Sequence, residues 1–340
     1  MSFFRDLFPA HREAGTEILP TEGPLPPFEG ATGWLGSEPL TPEGLRGRVV
    51  AVQFWTYTCV NWLRTLPYVR EWDAKYQDHG LSVIGVHTPE FGFERNVDNV
   101  VAAAKEMRVD YPIALDSDYA VWGAFSNRFW PALYVADGQG RIRYHHFGEG
   151  EYAMSEMVLQ RLLGEAGEEG FDPGFVSVDP KGTEVAADWG DLRTPETYLS
   201  YGRSYGFASA DGERLGEPHG YPEPPGLGLN EWAPYGGWTL AEHAAVLEEA
   251  PGRIAIRFHA RDANLVMGPA ERGPSVPFRV LIDGEEPGAS HVIDVDERGN
   301  GTLGEQRLYQ LIRQRKPISD RLFEIEFLDS GAEAYCFTFG

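Results

Sequence analysis

Cys59 is the residue whose type and surroundings point most directly to chemistry. The stretch VVAVQFWT, residues 49–56, is apolar and rich in β-branched and aromatic residues, which predicts a buried strand. The pattern that follows, from Val60 to His79, predicts a helix. A thiol at the start of a helix faces unpaired backbone N–H groups, which lower its pKa and favour the reactive thiolate. The sequence therefore predicts Cys59 as a nucleophile.

Trp62 limits the chemistry that this nucleophile can perform. It stands where the second thiol of a Cys-x-x-Cys pair would be. Without that thiol, an attacked substrate stays attached as a mixed disulfide until an external thiol releases it. Oxidation by peroxide to a sulfenic acid, followed by rescue with a small thiol, is the other route. We therefore expect a disulfide- or peroxide-bearing substrate and a small thiol reductant as partners.

Thr56 and the neighbouring aromatic residues each allow two interpretations. Thr56 lies three residues before Cys59, which suits a hydrogen-bond donor to a thiolate, but an ordinary strand threonine fits as well. The aromatic residues predict either a substrate groove or simple core packing; they are Trp55, Tyr57, Trp62 and Trp130. Cys59 itself could be a small buried residue, a common position for a free cysteine. Cys336, in an aromatic strand, is interpreted as inert core, with resolution of Cys59 from the second domain as the remote alternative.

The composition narrows the classes of partner. The chain has 340 residues with 29 Lys and Arg against 52 Asp and Glu, a net charge of −23. Such acidity disfavours nucleic acid and anionic membrane surfaces. No apolar run reaches the roughly 20 residues of a membrane span, and residues 1–9 lack the pattern of a signal peptide. These features, with only two cysteines far apart in the sequence, predict a cytoplasmic protein. We expect no metal or cofactor, since the sequence has no metal-type Cys/His spacing and no phosphate-binding loop.

The elements that must position Cys59 alternate between strand and helix. After an irregular lead-in over residues 1–30, an α/β domain with a mixed central sheet and helices on both faces is predicted for residues 31–166. Its further strands are predicted at Leu81–His87, Ala132–Ala136 and Arg141–Phe147. Its further helices are predicted at Glu94–Val109, Tyr119–Phe125 and Met154–Leu163, with Val97, Val100, Val101, Ala104 and Met107 on one apolar stripe.

A second domain with a different sequence pattern follows a polar linker over residues 167–192. Short strand patterns at regular spacing predict a jelly-roll-like antiparallel β-sandwich over residues 193–340. The strands are predicted at Arg253–Ala260, Phe278–Ile282, Gly301–Ile312, Leu322–Leu328 and Ala332–Phe339. Arg257, His259 and Arg261 alternate with apolar residues, which predicts either a ligand-binding face for sugar or protein, or a structural salt-bridged surface.

Several motifs resemble a known family. Phe54-Trp55-x-x-x-Cys59, with prolines at 67 and 131, is similar to the thioredoxin superfamily, and the helical insertion before Pro131 resembles its TlpA and redoxin branch. Residues 54–61, 85–91, 129–134 and 147–152 resemble the soluble part of DipZ-type cytochrome c biogenesis proteins. Residues 194–199 and 334–340 resemble the C-terminal, galactose-binding-like module of the same family. The resemblance implies thiol–disulfide exchange, with a cis proline at 131 shaping a substrate groove beside Cys59.

The chain departs from this family pattern in three ways. Trp62 replaces the resolving cysteine, Gln53 stands where many thioredoxins have a buried acid, and the membrane-spanning portion is absent from the sequence. Dithiol cycling is therefore not expected. Two hypotheses remain: a thiol oxidoreductase with one redox-active cysteine, and a non-catalytic protein that binds peptides or other ligands on the same fold.

Overall fold

The computed structural model describes residues 19–270 and 275–340. The expectations for residues 1–18, which include most of the lead-in and the segment without a signal-peptide pattern, lie outside this part of the chain. Within it, no helix has the length and apolar character that crossing a membrane requires.

The first domain is built on a seven-stranded mixed sheet. Its strands are β1 (Gly23–Pro24), β2 (Gly33–Leu35), β3 (Val49–Trp55), β4 (Leu81–His87), β5 (Ile113–Leu115), β6 (Ala132–Ala136) and β7 (Arg141–Phe147). Its helices are α1 (Val60–Tyr76), α2 (Val97–Glu106), α3 (Ala120–Ala124) and α4 (Tyr152–Glu165). The strand order is β1-β7-β6-β3-β4-β5-β2, with β3, β4 and β5 parallel and the other pairings antiparallel. This is the thioredoxin-like arrangement that the sequence predicted.

The central strand β3 places Cys59 just beyond its carboxyl end. Every residue of β3 is buried, as a strand covered by helices on both faces requires. The chain leaves the strand at Trp55 and enters α1 at Val60, so Cys59 occupies the N-cap position of α1. The prediction that the thiol introduces the helix is confirmed in this geometry.

The second domain is an antiparallel β-structure joined to the first by an ordered segment. Its strands are β8 (Thr197–Tyr198), β9 (Pro218–Tyr221), β10 (Trp232–Leu240), β11 (Ala245–Phe258), β12 (Asp262–Pro269), β13 (Val276–Ile282), β14 (Asn300–Leu303), β15 (Arg307–Arg313), β16 (Arg321–Phe327) and β17 (Ala332–Phe339). The main path runs β14-β13-β16-β11-β17-β12-β15. The predicted β-sandwich class is consistent with this sheet, whose inward side chains form one large apolar core.

Three local predictions are wrong. On α2, Val97 and Val101 are 46% and 45% exposed, because only the side that carries Val100 and Ala104 packs against the sheet. The single strand expected over 301–312 is two strands, β14 and β15, separated by a turn at residues 304–306. The lead-in contributes an edge strand, β1, which pairs with β7 and is too short to produce a sequence signal.

The two domains share an apolar interface that includes both cysteines. The core cluster around α1 contains Cys59 and, from the second domain, Val266, Leu308, Tyr335 and Cys336. Tyr335 contacts the rings of Phe91 and Phe93 at 5.2 and 4.9 Å between centroids. The second domain therefore packs directly beside the region that carries the thiol.

Candidate active site

The Cys59 thiol lies at the junction of three segments. Its Sγ lies 3.7 Å from the carbonyl oxygen of Trp130, to which the S–H group donates. The Trp130–Pro131 peptide bond is cis, in the position that the family resemblance implied. Backbone N–H groups of Asn61 and Trp62 also approach the sulfur from the first turn of α1. Cys59 is 7% exposed, so this site is narrow and largely enclosed.

The thiol pKa moves in the direction opposite to the sequence prediction. Burial raises the pKa of Cys59 well above its ordinary value, and the carboxylates of Glu196 and Glu90 raise it further. The N–H groups at the helix N-terminus lower the pKa as expected, but their effect is smaller than these two. The prediction of a thiolate at neutral pH is therefore wrong for this conformation.

Trp62 points into the core and does not border a groove. Its indole is fully buried and stacks on Trp55, with the ring centroids 4.3 Å apart and the planes at 24°. Its Nε1 donates to Gln53 Oε1 at 3.1 Å. The interpretation of Trp62 and Trp55 as groove walls is wrong, because both indoles are fully buried in the core, which is the alternative of simple core packing. Gln53, at the position of the usual buried acid, holds the tryptophan that replaces the usual cysteine.

Thr56 has partners other than the sulfur. Its Oγ1 lies 3.5 Å from Nε2 of the buried His87 and also bonds the carboxyl of Glu94. Burial lowers the pKa of His87 to about 3, so this imidazole is neutral. The prediction of Thr56 as a donor to a thiolate receives no support from these contacts, and they favour its role as a structural residue.

Glu94 is a fully buried carboxyl behind the Cys59 loop. Thr58 Oγ1 donates to its Oε1 at 2.6 Å, and the backbone N–H groups of Glu90 and Phe91 donate to its Oε2 at 2.6 and 2.9 Å. Burial raises the pKa of Glu94 to about 7, against the lowering effect of these hydrogen bonds. Glu94 thus ties the residue before the thiol to the loop after β4.

The second domain contributes charged groups to the surroundings of the thiol. Glu196 Oε1 lies 3.5 Å from the side-chain amide of Asn61, in the first turn of α1. Glu90 accepts hydrogen bonds from Tyr198 Oη at 2.6 Å and from Arg203 Nη1 at 2.7 Å. Desolvation and the Glu90 charge raise the pKa of Glu196 to about 7, against the lowering effect of the Arg203 and Arg64 charges and of a hydrogen bond from Tyr198.

Arg64 fastens the second domain to α1. Its guanidinium forms an ion pair with Glu149 at 2.7 Å, in which the side chains are only 2% and 5% exposed. It also donates to the carbonyl oxygen of Phe339, at the end of β17, at 3.0 Å. The ion pair supplies the partner that a buried charge needs, and the hydrogen bond to Phe339 connects β17 to the helix that carries Cys59.

Tyr57 and Trp130 have different surroundings. Tyr57 lines a cleft of about 790 Å³ between the two domains, together with Leu63, Arg70 and Arg307. The Trp130 indole is partly exposed and donates from Nε1 to the Thr88 carbonyl at 3.0 Å. Of the aromatic residues predicted for a substrate groove, Trp130 and Trp62 approach the sulfur, Trp130 through its carbonyl group and Trp62 through its backbone N–H.

The residues predicted as a ligand face on the second domain do not converge. Arg257 donates to the Leu227 carbonyl at 2.6 Å, His259 bonds Asp320 at 2.5 Å, and Arg261 pairs with Asp262 at 2.6 Å. The strand ends at Phe258, so His259 and Arg261 lie in the following turn. These contacts favour the structural alternative. Among residues 19–270 and 275–340, no group of three or more His, Cys, Asp or Glu side chains is arranged to hold a metal ion.

Sequence reasoning missed Glu196, Glu90 and Arg64. Asn61 and Glu196 are separated by 135 positions, and Arg64 and Phe339 by 275. No local pattern encodes such contacts. The available signal was an arginine in the apolar first turns of α1, where a buried charge requires a partner.

The fold and the position of Cys59 at the start of α1 define a thioredoxin-like protein, and family models agree. The model for Redoxin matches residues 22–160, and the model described as "Thioredoxin like C-terminal domain" matches residues 194–340. Thiol-disulfide oxidoreductase YkuV of Bacillus subtilis is 34% identical over 143 residues, which are 42% of this chain and 95% of YkuV. The chain belongs to the redoxin-type, thioredoxin-like family of thiol-disulfide oxidoreductases.

Longer relatives match across both domains. Protein DipZ of Mycobacterium tuberculosis is 38% identical over 264 residues, which cover 75% of this chain. The chain spans about a third of DipZ, since the match covers 36% of that protein. Among solved structures, the solution structure of a thioredoxin-like protein in the oxidized form is 34% identical, covers 42% of this chain and 96% of that one, and has a TM-score of 0.39.

Proposed function

We propose that this protein carries out thiol–disulfide exchange with Cys59 as its only attacking thiol. The observation that carries the proposal is the placement of Cys59 at the N-terminus of α1, with its sulfur 3.7 Å from the carbonyl that precedes cis Pro131. Membership in a thiol-disulfide oxidoreductase family supports this reaction class. Disulfide substrates and a thiol reductant are the corresponding partners.

The reaction has two exchange steps. The Cys59 thiol loses its proton to solvent, and the thiolate attacks one sulfur of a substrate disulfide, R–S–S–R. The substrate S–S bond breaks, a Cys59–S–S–R bond forms, and RS⁻ leaves. Because Trp62 fills the resolving position with a buried indole, an external thiol must attack the mixed disulfide to regenerate Cys59.

Disulfide exchange is better supported than peroxide reduction. Peroxide reduction requires a polar pocket that activates the sulfur, and the threonine considered for that role bonds His87 and Glu94. Disulfide exchange requires access of one substrate sulfur to Cys59 beside the Trp130 carbonyl. We propose a cytoplasmic setting for this chemistry on the sequence grounds given above.

The test is mass spectrometry of the intact protein after incubation with hydroxyethyl disulfide, a small neutral disulfide. We expect one adduct, mapped to Cys59, which disappears on addition of dithiothreitol. Cys59→Ser should abolish it, and the matched variant Cys336→Ser should leave it unchanged. Absence of an adduct in the folded protein, under conditions in which the urea-unfolded chain reacts at both cysteines, would refute the proposal.

A non-catalytic binding protein is the second candidate, and the burial of the thiol favours it. Cys59 is 7% exposed and its pKa is raised, as for a structural cysteine. The cleft of about 790 Å³ between the domains, lined by apolar and charged side chains, has the size of a ligand site. An unreactive Cys59 together with binding of peptides in this cleft would support a binding protein over an exchange enzyme.

A further inference from the structure

The charged groups near Cys59 come from both domains and are not balanced. The carboxylates are Glu90, Glu149 and Glu196, and the guanidinium groups are those of Arg64 and Arg203. Two ion pairs, Arg64–Glu149 and Arg203–Glu90, both at 2.7 Å, use both arginines. Among the described residues Glu196 forms no ion pair of its own; its Oε1 lies 3.5 Å from the side-chain amide of Asn61, Tyr198 donates a hydrogen bond to it, and the Arg203 and Arg64 charges lower its pKa. When Glu196 is ionised, above its pKa of about 7, these five groups together carry one excess negative charge.

Glu196 lies where its negative charge acts on the thiol and on an approaching substrate. Asn61 lies in the first turn of α1, so the Glu196 carboxylate stands at the positive end of the helix. That end would otherwise favour the thiolate or an anionic substrate group. The carboxylates of Glu196 and Glu90 also raise the pKa of the thiol, the direction expected for negative charges near the sulfur.

Groups behind the thiol do not reverse this sign. The buried Glu94 carboxyl adds negative charge when it ionises, and the buried His87 is neutral. The chain as a whole carries a net charge of −23, which adds a long-range field of the same sign. An anionic disulfide is thus repelled at long range and again at the site.

We propose that Cys59 selects cationic disulfides, such as cystamine or basic peptides, over anionic ones, and that Glu196 is the main determinant of this selectivity. The inference rests on the proposed exchange reaction and names its substrate class. The step is the same: the thiolate forms a bond to one substrate sulfur, and the other leaves as a thiolate. A positively charged substituent on either sulfur is stabilised by Glu196 as the disulfide approaches.

The test compares three small disulfides of different charge. These are cystamine with two ammonium groups, neutral hydroxyethyl disulfide, and dithiodipropionate with two carboxylates. Each rate of adduct formation at Cys59 is divided by the rate with the neutral thiol N-acetylcysteinamide, which corrects for intrinsic reactivity. At about pH 8, where Glu196 is ionised, and at low ionic strength we expect the normalised rate of cystamine to exceed that of dithiodipropionate about tenfold or more, and high salt should reduce the ratio.

Two variants assign the effect. Glu196→Gln should reduce the cystamine preference several-fold and raise the rate with dithiodipropionate. Glu297→Gln removes an equal charge from an exposed position before β14, the edge strand four places from β17, and should leave the ratio near the wild-type value. Circular dichroism spectra of both variants confirm that they are folded.

The outcomes separate this inference from the proposed function. Equal normalised rates for the three disulfides, or a preference that Glu196→Gln does not reduce, would overturn the inference and leave the exchange reaction standing. Absence of any adduct, with the neutral disulfide included, would overturn both. If Glu297→Gln reduces the cystamine preference as much as Glu196→Gln does, the selectivity comes from the net charge of the protein, and the role of Glu196 is refuted.

Discussion

Replacement of Trp62 tests whether this residue is a core element that has displaced the resolving thiol. The side chain is fully buried, stacks on Trp55 at 4.3 Å and donates to Gln53 at 3.1 Å. Truncation of a buried Trp to Ala costs about 3–5 kcal/mol of unfolding free energy. Trp62→Phe keeps an aromatic stack and loses the N–H donor, so we expect about 1–2 kcal/mol.

Urea unfolding under reducing conditions measures these costs. The helical signal in circular dichroism reports the first domain, because the α-helices of residues 19–270 and 275–340 all lie there. Trp189→Ala is the matched control, since Trp189 is 63% exposed and its removal should cost less than about 0.5 kcal/mol. Equal losses for Trp62→Ala and Trp189→Ala would refute the view that Trp62 is part of the core.

Three further predictions concern the same region. Arg64→Met leaves Glu149 buried without its partner and should lower the free energy of unfolding in urea by about 3–5 kcal/mol. The control Arg279→Met breaks the exposed pair with Glu286 and should lower it by less than about 1 kcal/mol. Similar losses for the two variants would contradict the burial of the Arg64–Glu149 pair. The raised pKa of Glu94, about 7 in the folded state, means that its protonated form stabilises the fold, so the stability of wild type relative to Glu94→Gln should fall as pH rises from about 4.5 through 7; a pH-independent difference would argue against the shift. On treatment with an oxidant, Trp62→Cys should form a disulfide between Cys59 and the introduced thiol, detected as a loss of two hydrogens in the intact mass. If both thiols stay free after this treatment, the placement of Cys59 at the start of α1 is contradicted.

The elements with the strongest local signals could be predicted from the sequence. Three strands have the predicted bounds: Leu81–His87, Arg141–Phe147 and Ala332–Phe339. Each is rich in residues that favour β-strands and is flanked by turn residues. β12, Asp262–Pro269, was missed although it is buried throughout. It begins with Asp262 and contains Asn264, so its apolar pattern is weak, and only the structure shows the Arg261 and Arg313 side chains that pair with Asp262.

The site was predictable in position but not in its electrostatics. A strand that runs into Cys59 and a helix gives the location of the thiol from local sequence alone. The direction of its pKa shift depends on burial by the second domain and on Glu196, which is remote in sequence. The same limit applies to Trp62, whose inward orientation depends on packing against Trp55 and Gln53.

The pH dependence of adduct formation at Cys59 tests the central claim most directly. The rate with hydroxyethyl disulfide is measured on Cys336→Ser protein between about pH 6 and pH 10. Because burial raises the pKa of Cys59 well above its ordinary value, the thiolate fraction and the rate should rise about tenfold per pH unit through the neutral range without a plateau there. A plateau near neutral pH would contradict the account of the thiol, and a folded protein that forms no adduct at any pH would contradict its role in disulfide exchange.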